Sequence, residues 1–420
     1  VLLLLGFVRP AAADDTKALL KRMEAMESEL KQLRQWKEDQ ALDQLRQSAD
    51  SEGGTASDTD ELPDRTYVQA SRSLQMLNPE ISVSGDFLAQ LIVNDDHFYA
   101  GADDRTSMPI RAVDLHIQST LDPFSLTKIA IGFDPQEGAS LEEAFITWAG
   151  VVPSLSFTVG LFRQQVGVLN RWHEHDLDQT GYPLVLDRLF GEGGLSAPGL
   201  SMTWSMPALW ADANALTVEV TDGSNDALYA GDYFTVPAFS GRLKSYWDLN
   251  EDTYLELGLN GGFGFHNHRG EPVPSAADPN IMVLKDDPWK QSWFTGADLT
   301  LFWQPLTKAR YHSVTWRSEG YYARKQEAPS DISGWGLYSY LMFQAAENLF
   351  VGVRGDLVQP MGTDDPDDLE WKVVPWVTFW QSEFVYLRFE VQHGELADGR
   401  DTRFLFQVNW AAGPHKHEKY

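Results

Sequence analysis

The 420 residues include 43% hydrophobic and 12% aromatic residues, no Cys, and 61 acidic against 33 basic residues, for a net charge of −28. So acidic a chain excludes nucleic acid as the expected partner, because neutralising phosphates takes clustered Lys and Arg, and the absence of Cys excludes thiolate metal sites and Cys nucleophiles. Beyond the first residues no run approaches the about eighteen apolar residues that a transmembrane helix requires.

In chain order, Val1 to Ala13 (VLLLLGFVRPAAA) reads as the end of a signal peptide, with the mature chain expected from Asp14. Leu19, Met23, Met26, Leu30 and Leu33 follow a four-three-four-three spacing, an a/d seam that predicts a periplasmic coiled coil over 14–47. A helix with so few apolar positions is marginal alone and calls for partner helices, which makes a homotrimer the expected assembly. Ser48 to Pro63 is rich in Ser, Gly, Asp and Thr without periodicity, so 48–80 is expected to be a linker.

From Ile81 to the end, period-two alternation predicts an all-β fold: a transmembrane antiparallel barrel of about sixteen strands over 81–420. The first eight are expected at Ile81 to Val93, Ile110 to Leu121, Leu126 to Phe133, Glu143 to Ala149, Leu155 to Phe162, Leu200 to Met206, Leu216 to Thr221 and Arg242 to Asp248. The second eight are expected at Tyr254 to Gly262, Trp293 to Gln304, His312 to Tyr322, Trp335 to Gln344, Leu349 to Leu357, Lys372 to Trp380, Phe384 to Gln392 and Arg403 to Trp410. Short and long connections alternate, as periplasmic turns and extracellular loops do, and Trp204, Trp247, Trp303, Trp316, Trp335 and Trp410 fall near strand ends on the face assigned to lipid. The expected location is the outer membrane of a Gram-negative bacterium, with lipid around the barrel.

Following the alternation, Asp86, Asp114, His116, Arg242, Lys244, Asp298, Arg317, Glu319, Arg354, Arg388 and Glu390 point to the lumen, together with Lys128, Glu219, Asp248, Glu256 and Asp356. Acids and bases are mixed there, so a transverse field of opposed charges is one expectation and simple lumenal placement the other. The connection Gln164 to Gly199, third on the extracellular side, is the longest and is dense in apolar residues. It is expected to fold inward, with Leu184, Val185, Leu189 and Phe190 on the inner wall and Arg163, Arg171, Asp187, Arg188 and Glu192 forming a charged pore constriction. Within it His173, Glu174 and His175 form a candidate zinc group, to be completed by His266 or His268; a hydrogen-bonded loop role is the alternative. No cofactor is otherwise called for. Base and acid could be drawn from His175 with Asp176 or Asp178, but no Ser motif or paired-acid signature accompanies them, and the chain is read as a non-enzyme.

From Gly160 to Gly199 the residues Gly160, Phe162, Arg163, Leu169, Asn170, Arg171, His173, His175, Pro183, Leu184, Val185, Phe190, Gly191, Glu192, Gly194, Leu195 and Gly199 resemble the G-x-F-R, L-N-R-x-H-x-H, P-L-V and F-G-E-x-G-L pattern of an outer-membrane protein family. That family is designated zinc-regulated and, loosely, TonB-dependent. The resemblance implies an outer-membrane barrel and a link to zinc. A plug of over about a hundred residues inside about twenty-two strands has no room in this chain, and the layout of coiled coil plus mid-sized barrel is more similar to phosphate-selective porins. A porin-like channel for passive diffusion of small hydrophilic solutes or ions is the leading expectation. A zinc-linked uptake protein or receptor comes next, and a rim hydrolase or structural tether last.

Overall fold

The computed structural model describes residues 79–94, 107–135, 138–229, 236–266, 272–274, 281–284, 289–327, 330–362, 368–397 and 399–413. The leader, the coiled-coil seam, the linker up to residue 78, His268 and the C-terminal His415 and His417 lie outside the described residues.

Sixteen strands run antiparallel in sequence order: β1 (Glu80–Asn94), β2 (Ile110–Asp122), β3 (Ser125–Asp134), β4 (Gly138–Val152), β5 (Leu155–Arg163), β6 (Ser196–Met206), β7 (Ala213–Thr221), β8 (Ala238–Asn250), β9 (Thr253–His266), and, after a small hairpin of β10 (Pro272–Pro274) and β11 (Met282–Leu284), β12 (Lys290–Trp303), β13 (Ser313–Lys325), β14 (Ile332–Ala346), β15 (Leu349–Gln359), β16 (Glu370–Ser382), β17 (Val385–Leu396) and β18 (Gly399–Ala412). β1 pairs with β18, with Phe87 opposite Val408 and Gly85 opposite Trp410, and this closes the barrel. Closure removes the sheet edges that an open sheet would expose.

β18 shows why the sequence folds this way. Phe404, Phe406 and Trp410 are 38%, 42% and 41% exposed on the outer face, whereas Leu405, Gln407 and Asn409 are buried inside. Successive Cβ atoms of a strand point to opposite faces, so alternating residue character sorts itself between the two solvents. Trp204, Trp303, Trp316 and Trp335 are likewise exposed on the outer face near strand ends. No described helix is long and apolar enough to cross a membrane.

Each expected strand is present, most of them longer than expected by a few residues at one or both ends. The hairpin β10–β11, inside the connection between β9 and β12, is not among the expected strands: two of the three β10 residues are Pro, which argues against a strand. β4 begins at Gly138 rather than Glu143, because its pairing with β3 shifts between Ala130, opposite Glu143, and Ile131, opposite Leu141. Glu142 is the extra residue of a β-bulge, and period-two reading breaks there. A second bulge between β1 and β2 pairs Asp86 with Ala112 and Phe87 with Ile110, leaving Arg111 as the extra residue.

Candidate functional site: a loop packed inside the barrel

The connection between β5 and β6 spans 164–195, four residues less than expected because β6 already begins at Ser196. It holds two single 3-10 turns, Leu169–Arg171 and Glu174–Asp176, and one short helix, α1 (Leu184–Phe190). Pro183 precedes the helix in an extended conformation, and Gly191, Gly193 and Gly194 take positive φ of 83°, 77° and 73° to turn the chain back toward β6. Asn170 ties the base of the loop: its side-chain amide donates to the Gln164 and Leu195 carbonyls at 2.9 and 3.0 Å, and its Oδ1 accepts from the Leu195 N–H at 2.7 Å.

Apolar packing draws this loop onto the inner wall. Leu169, Val185, Leu189, Phe190 and Leu195 are fully buried, in one cluster with the wall residues Phe294, Tyr321, Ala323, Tyr338, Tyr340 and Trp376. The Phe190 ring meets Phe294 and Tyr321 edge-on, each at 5.0 Å between centroids. Each such apolar side chain contributes about 1.5–3 kcal/mol on burial. Glycines on the strands make the room: a Cβ at Gly336 would press on Val185, and one at Gly334 on Leu189.

Polar anchors fix the register of the loop against the wall. Glu319 on β13 accepts the Val168 and Leu169 amides at 2.9 and 3.0 Å, along with the hydroxyls of Tyr321 and Tyr338 at 2.5 and 2.7 Å. Glu219 on β7 accepts the Gln165 amide, and Asn260 on β9 accepts the Gly167 amide at 2.7 Å. On the other side Arg354 donates to the Gln179 side chain at 3.1 Å and the Gly181 carbonyl at 3.0 Å, and Arg388 donates to the Leu177 carbonyl at 2.8 Å. Glu390 accepts from the Thr180 N–H at 2.9 Å and hydroxyl at 2.6 Å, Tyr386 donates to the His175 carbonyl, and Tyr340 donates to Asp178. Seven of the inward charges expected to face one another across a pore, Asp114, Glu219, Glu319, Arg354, Asp356, Arg388 and Glu390, are therefore bonded to the loop.

The rest pair locally. Arg242 donates to Asp298 at 2.6 Å, Lys244 pairs with Glu256 at 3.0 Å, and Arg317 donates to Thr300 and Tyr340 while lying 4.7 Å over the Trp172 ring. Asp86 holds Arg111 and Gln407. The five residues expected to form a constriction are not gathered at one place. Arg163 donates to the Gly193 carbonyl at 2.8 Å and braces the loop's return, Arg188 pairs with Glu370 on β16 at 2.7 Å, and Glu192 is exposed. Arg171 is pushed down to about 10 by burial and by the nearby Arg242, and Asp187 is pushed up to about 7 by burial and by Glu174.

The candidate zinc trio is split. Glu174 accepts from Arg111 at 2.7 Å and takes no part with the histidines. His173 sits between the two bulge carboxylates, Nδ1 2.7 Å from Glu142 and Nε2 2.9 Å from Glu143. His175 places Nδ1 3.0 Å from Asp114 and Nε2 3.6 Å from Asp176. Burial lowers the His175 pKa, but Asp176 and Asp114 together carry it up to about 9. His116 lies edge-on to both loop rings, with centroids 5.6 Å from His173 and 5.4 Å from His175. One ligand atom from each of Asp114, His116 and His175 falls within 4.8 Å of the other two. His266, expected as a further ligand, instead faces Glu327 at 3.1 Å. Arg111, Glu142 and Glu143 were not among the expected site residues; the adjacent acids Glu142-Glu143 were the one available signal. Beneath the loop a cavity of about 580 Å³ extends from His175 and Asp178 to Glu347, Asn348 and Gln381 at the end where the barrel's termini lie.

No family model matches the chain. A protein of Aquifex aeolicus (strain VF5), described as uncharacterized, is 23% identical over 358 residues, covering 76% of this chain and 71% of that protein. Among solved structures, the anion-selective porin from Comamonas acidovorans has a TM-score of 0.52 at 10% identity, covering 80% of this chain and all of that one. OmpT, an outer membrane protein of Vibrio cholerae, has a TM-score of 0.50 at 8% identity, covering 80% and 97%. At these identities the likeness is one of fold, and it does not bear on the zinc-regulated or TonB-dependent designations of the expected resemblance. The fold is that of an outer-membrane porin barrel.

Proposed function

We propose that the protein is an outer-membrane channel for passive diffusion of small hydrophilic solutes or ions, with the loop 164–195 narrowing its lumen. The observation that carries this reading is the loop itself, folded onto the inner wall and bonded to β7, β9, β13, β14, β15 and β17. Burying a long apolar loop inside a barrel reduces the open cross-section, and the mixed charges around it set what passes. The exposed apolar outer face and its Trp residues support placement in a bilayer. The likeness to porins supports the fold half of the reading.

Planar-bilayer recording of the purified protein tests it. Discrete conductance steps are expected, and deletion between Asp176 and Gly193 is expected to enlarge them and weaken ion preference while the barrel still shows heat-modifiable mobility. A folded barrel that never conducts, with or without the deletion, overturns the channel reading. Equal conductance and ion preference in the two forms overturns the role given to the loop.

A further inference from the structure

We propose that Asp114 and His116 on β2 and His175 on the inner loop form a binding site for a single late first-row divalent metal ion, zinc being the natural occupant, which clips the loop to the barrel wall. Asp114 and His116 are two apart on one strand, so both side chains project from the same face. His175 is brought to them by the 3-10 turn Glu174–Asp176, whose chain is held by the Tyr386 bond to the His175 carbonyl. The three side chains are buried, at 4%, 8% and 5% exposure.

The donor chemistry fits. Two imidazoles and one carboxylate are the nitrogen and oxygen set that zinc and its neighbours prefer, and they leave one coordination position for water or solute. Ligand atoms already within 4.8 Å of one another need only side-chain rotation to reach about 2.0–2.1 Å from a common centre. Asp176 lies 3.6 Å from the far nitrogen of His175, from where a small side-chain shift would make it the carboxylate that orients a ligating ring and raises its basicity. A bound cation would take the place of the proton that His175 shares with Asp114. His173 is engaged by Glu142 and Glu143 and stands outside the set, which separates this site from a simple H-x-H chelate.

Cobalt(II) serves as the optical probe. Tag-free full-length protein in detergent is titrated with cobalt, read by the visible absorption of a four-coordinate ion, and then with zinc, read by displacement of that absorption. One ion per chain is expected. His116→Ala and His175→Ala should each weaken binding by more than about a hundredfold, while His173→Ala and His266→Ala bind as the unaltered chain does. Variants are compared at equal heat-modifiable mobility, and since His175 lies on the loop, its substitution leaves the strands intact if the His116 variant misfolds. No cobalt spectrum in the unaltered protein overturns the proposal, as does binding that survives the His116→Ala/His175→Ala double substitution or vanishes in His173→Ala. Because the readout is absorbance, it stands or falls independently of whether the barrel conducts.

Discussion

Glu319 is one of the wall groups that anchor the loop, and Glu319→Gln measures how much docking depends on it. Its two carboxylate oxygens accept four hydrogen bonds, from the Val168 and Leu169 amides and the Tyr321 and Tyr338 hydroxyls. Oε1 accepts three of these bonds and Oε2 only the Tyr321 hydroxyl. A glutamine whose oxygen takes the Oε1 place therefore strands one donor and turns the other three from bonds to a charged acceptor into bonds to a neutral one, weakening each by about 1 kcal/mol. Each buried, unsatisfied donor costs about 1–3 kcal/mol, and partial rescue by water or by hydroxyl rotation sets the net near 3 kcal/mol. At 1.4 kcal/mol per decade that is about a hundredfold in the opening equilibrium of the loop. Hydrogen exchange read by mass spectrometry should show peptides covering 165–170 losing about a hundredfold in protection, with barrel-strand peptides unchanged. In bilayers the same variant should show larger or noisier openings. Unaltered protection over 165–170 would refute the assignment of Glu319 as an anchor of the loop.

Other outcomes follow from single positions. Gly167 has φ of 59°, and a Cβ there would collide with the Tyr321 hydroxyl and Glu319 carboxylate, so Gly167→Val should destabilise loop docking by about 2–4 kcal/mol in the same exchange assay. Gly355→Ala, where a Cβ meets nothing, should be neutral. Asp187, pushed up to about 7, is charged above that pH and neutral below it; cation preference should rise from pH 6 to pH 8 in reversal-potential measurements, and Asp187→Asn should remove the step. Because the shift is upward, ionisation works against docking, so the loop should be held more tightly below about pH 7 than above it. Leu30→Asp should convert an associated protein to monomers by light scattering in mild detergent, and a monomeric unaltered protein would remove the trimer expected from the Leu19 to Leu33 seam.

The strands were legible because lipid and lumen impose opposite demands at every second residue. Legibility failed where the backbone leaves that period. At Glu142 and at Arg111 an extra residue enters one strand, so alternation assigns Arg111 to the lipid face and starts β4 late. Both bulges deliver a charged side chain to the inner loop: Glu142 to His173 and Arg111 to Glu174. The loop's apolar content foretold that it packs on something, and Val185, Leu189 and Phe190 do. Its partners were not legible, because pairing Glu319 with Val168 or Arg354 with Gln179 spans over a hundred residues and is fixed only when the barrel closes. The His173-x-His175 spacing was read as one group for a related reason: only the two carboxylates flanking His173 and the one beside His175 reveal that the rings serve different partners.

The anchoring of the loop also changes what the chain's charge says about permeation. An inward charge acts on a passing ion through whatever water or solute it faces. Glu319, Glu390, Arg354 and Arg388 face the loop instead, and each is nearly inaccessible. Their fields are spent on backbone amides and carbonyls a few ångströms away. Among the described residues, the more exposed charges near the loop include Lys244 beside Glu256, Lys128 beside the buried Glu143, Arg188 beside the buried Glu370, and Asp187 and Glu192 on the loop itself. Three of these are opposed pairs, whose fields largely cancel beyond about a Debye length. On the proposed channel reading, ion preference is expected to follow the groups at the loop's edge, Asp187 foremost, and a net charge of −28 over the whole chain does not by itself make a passage cation-selective.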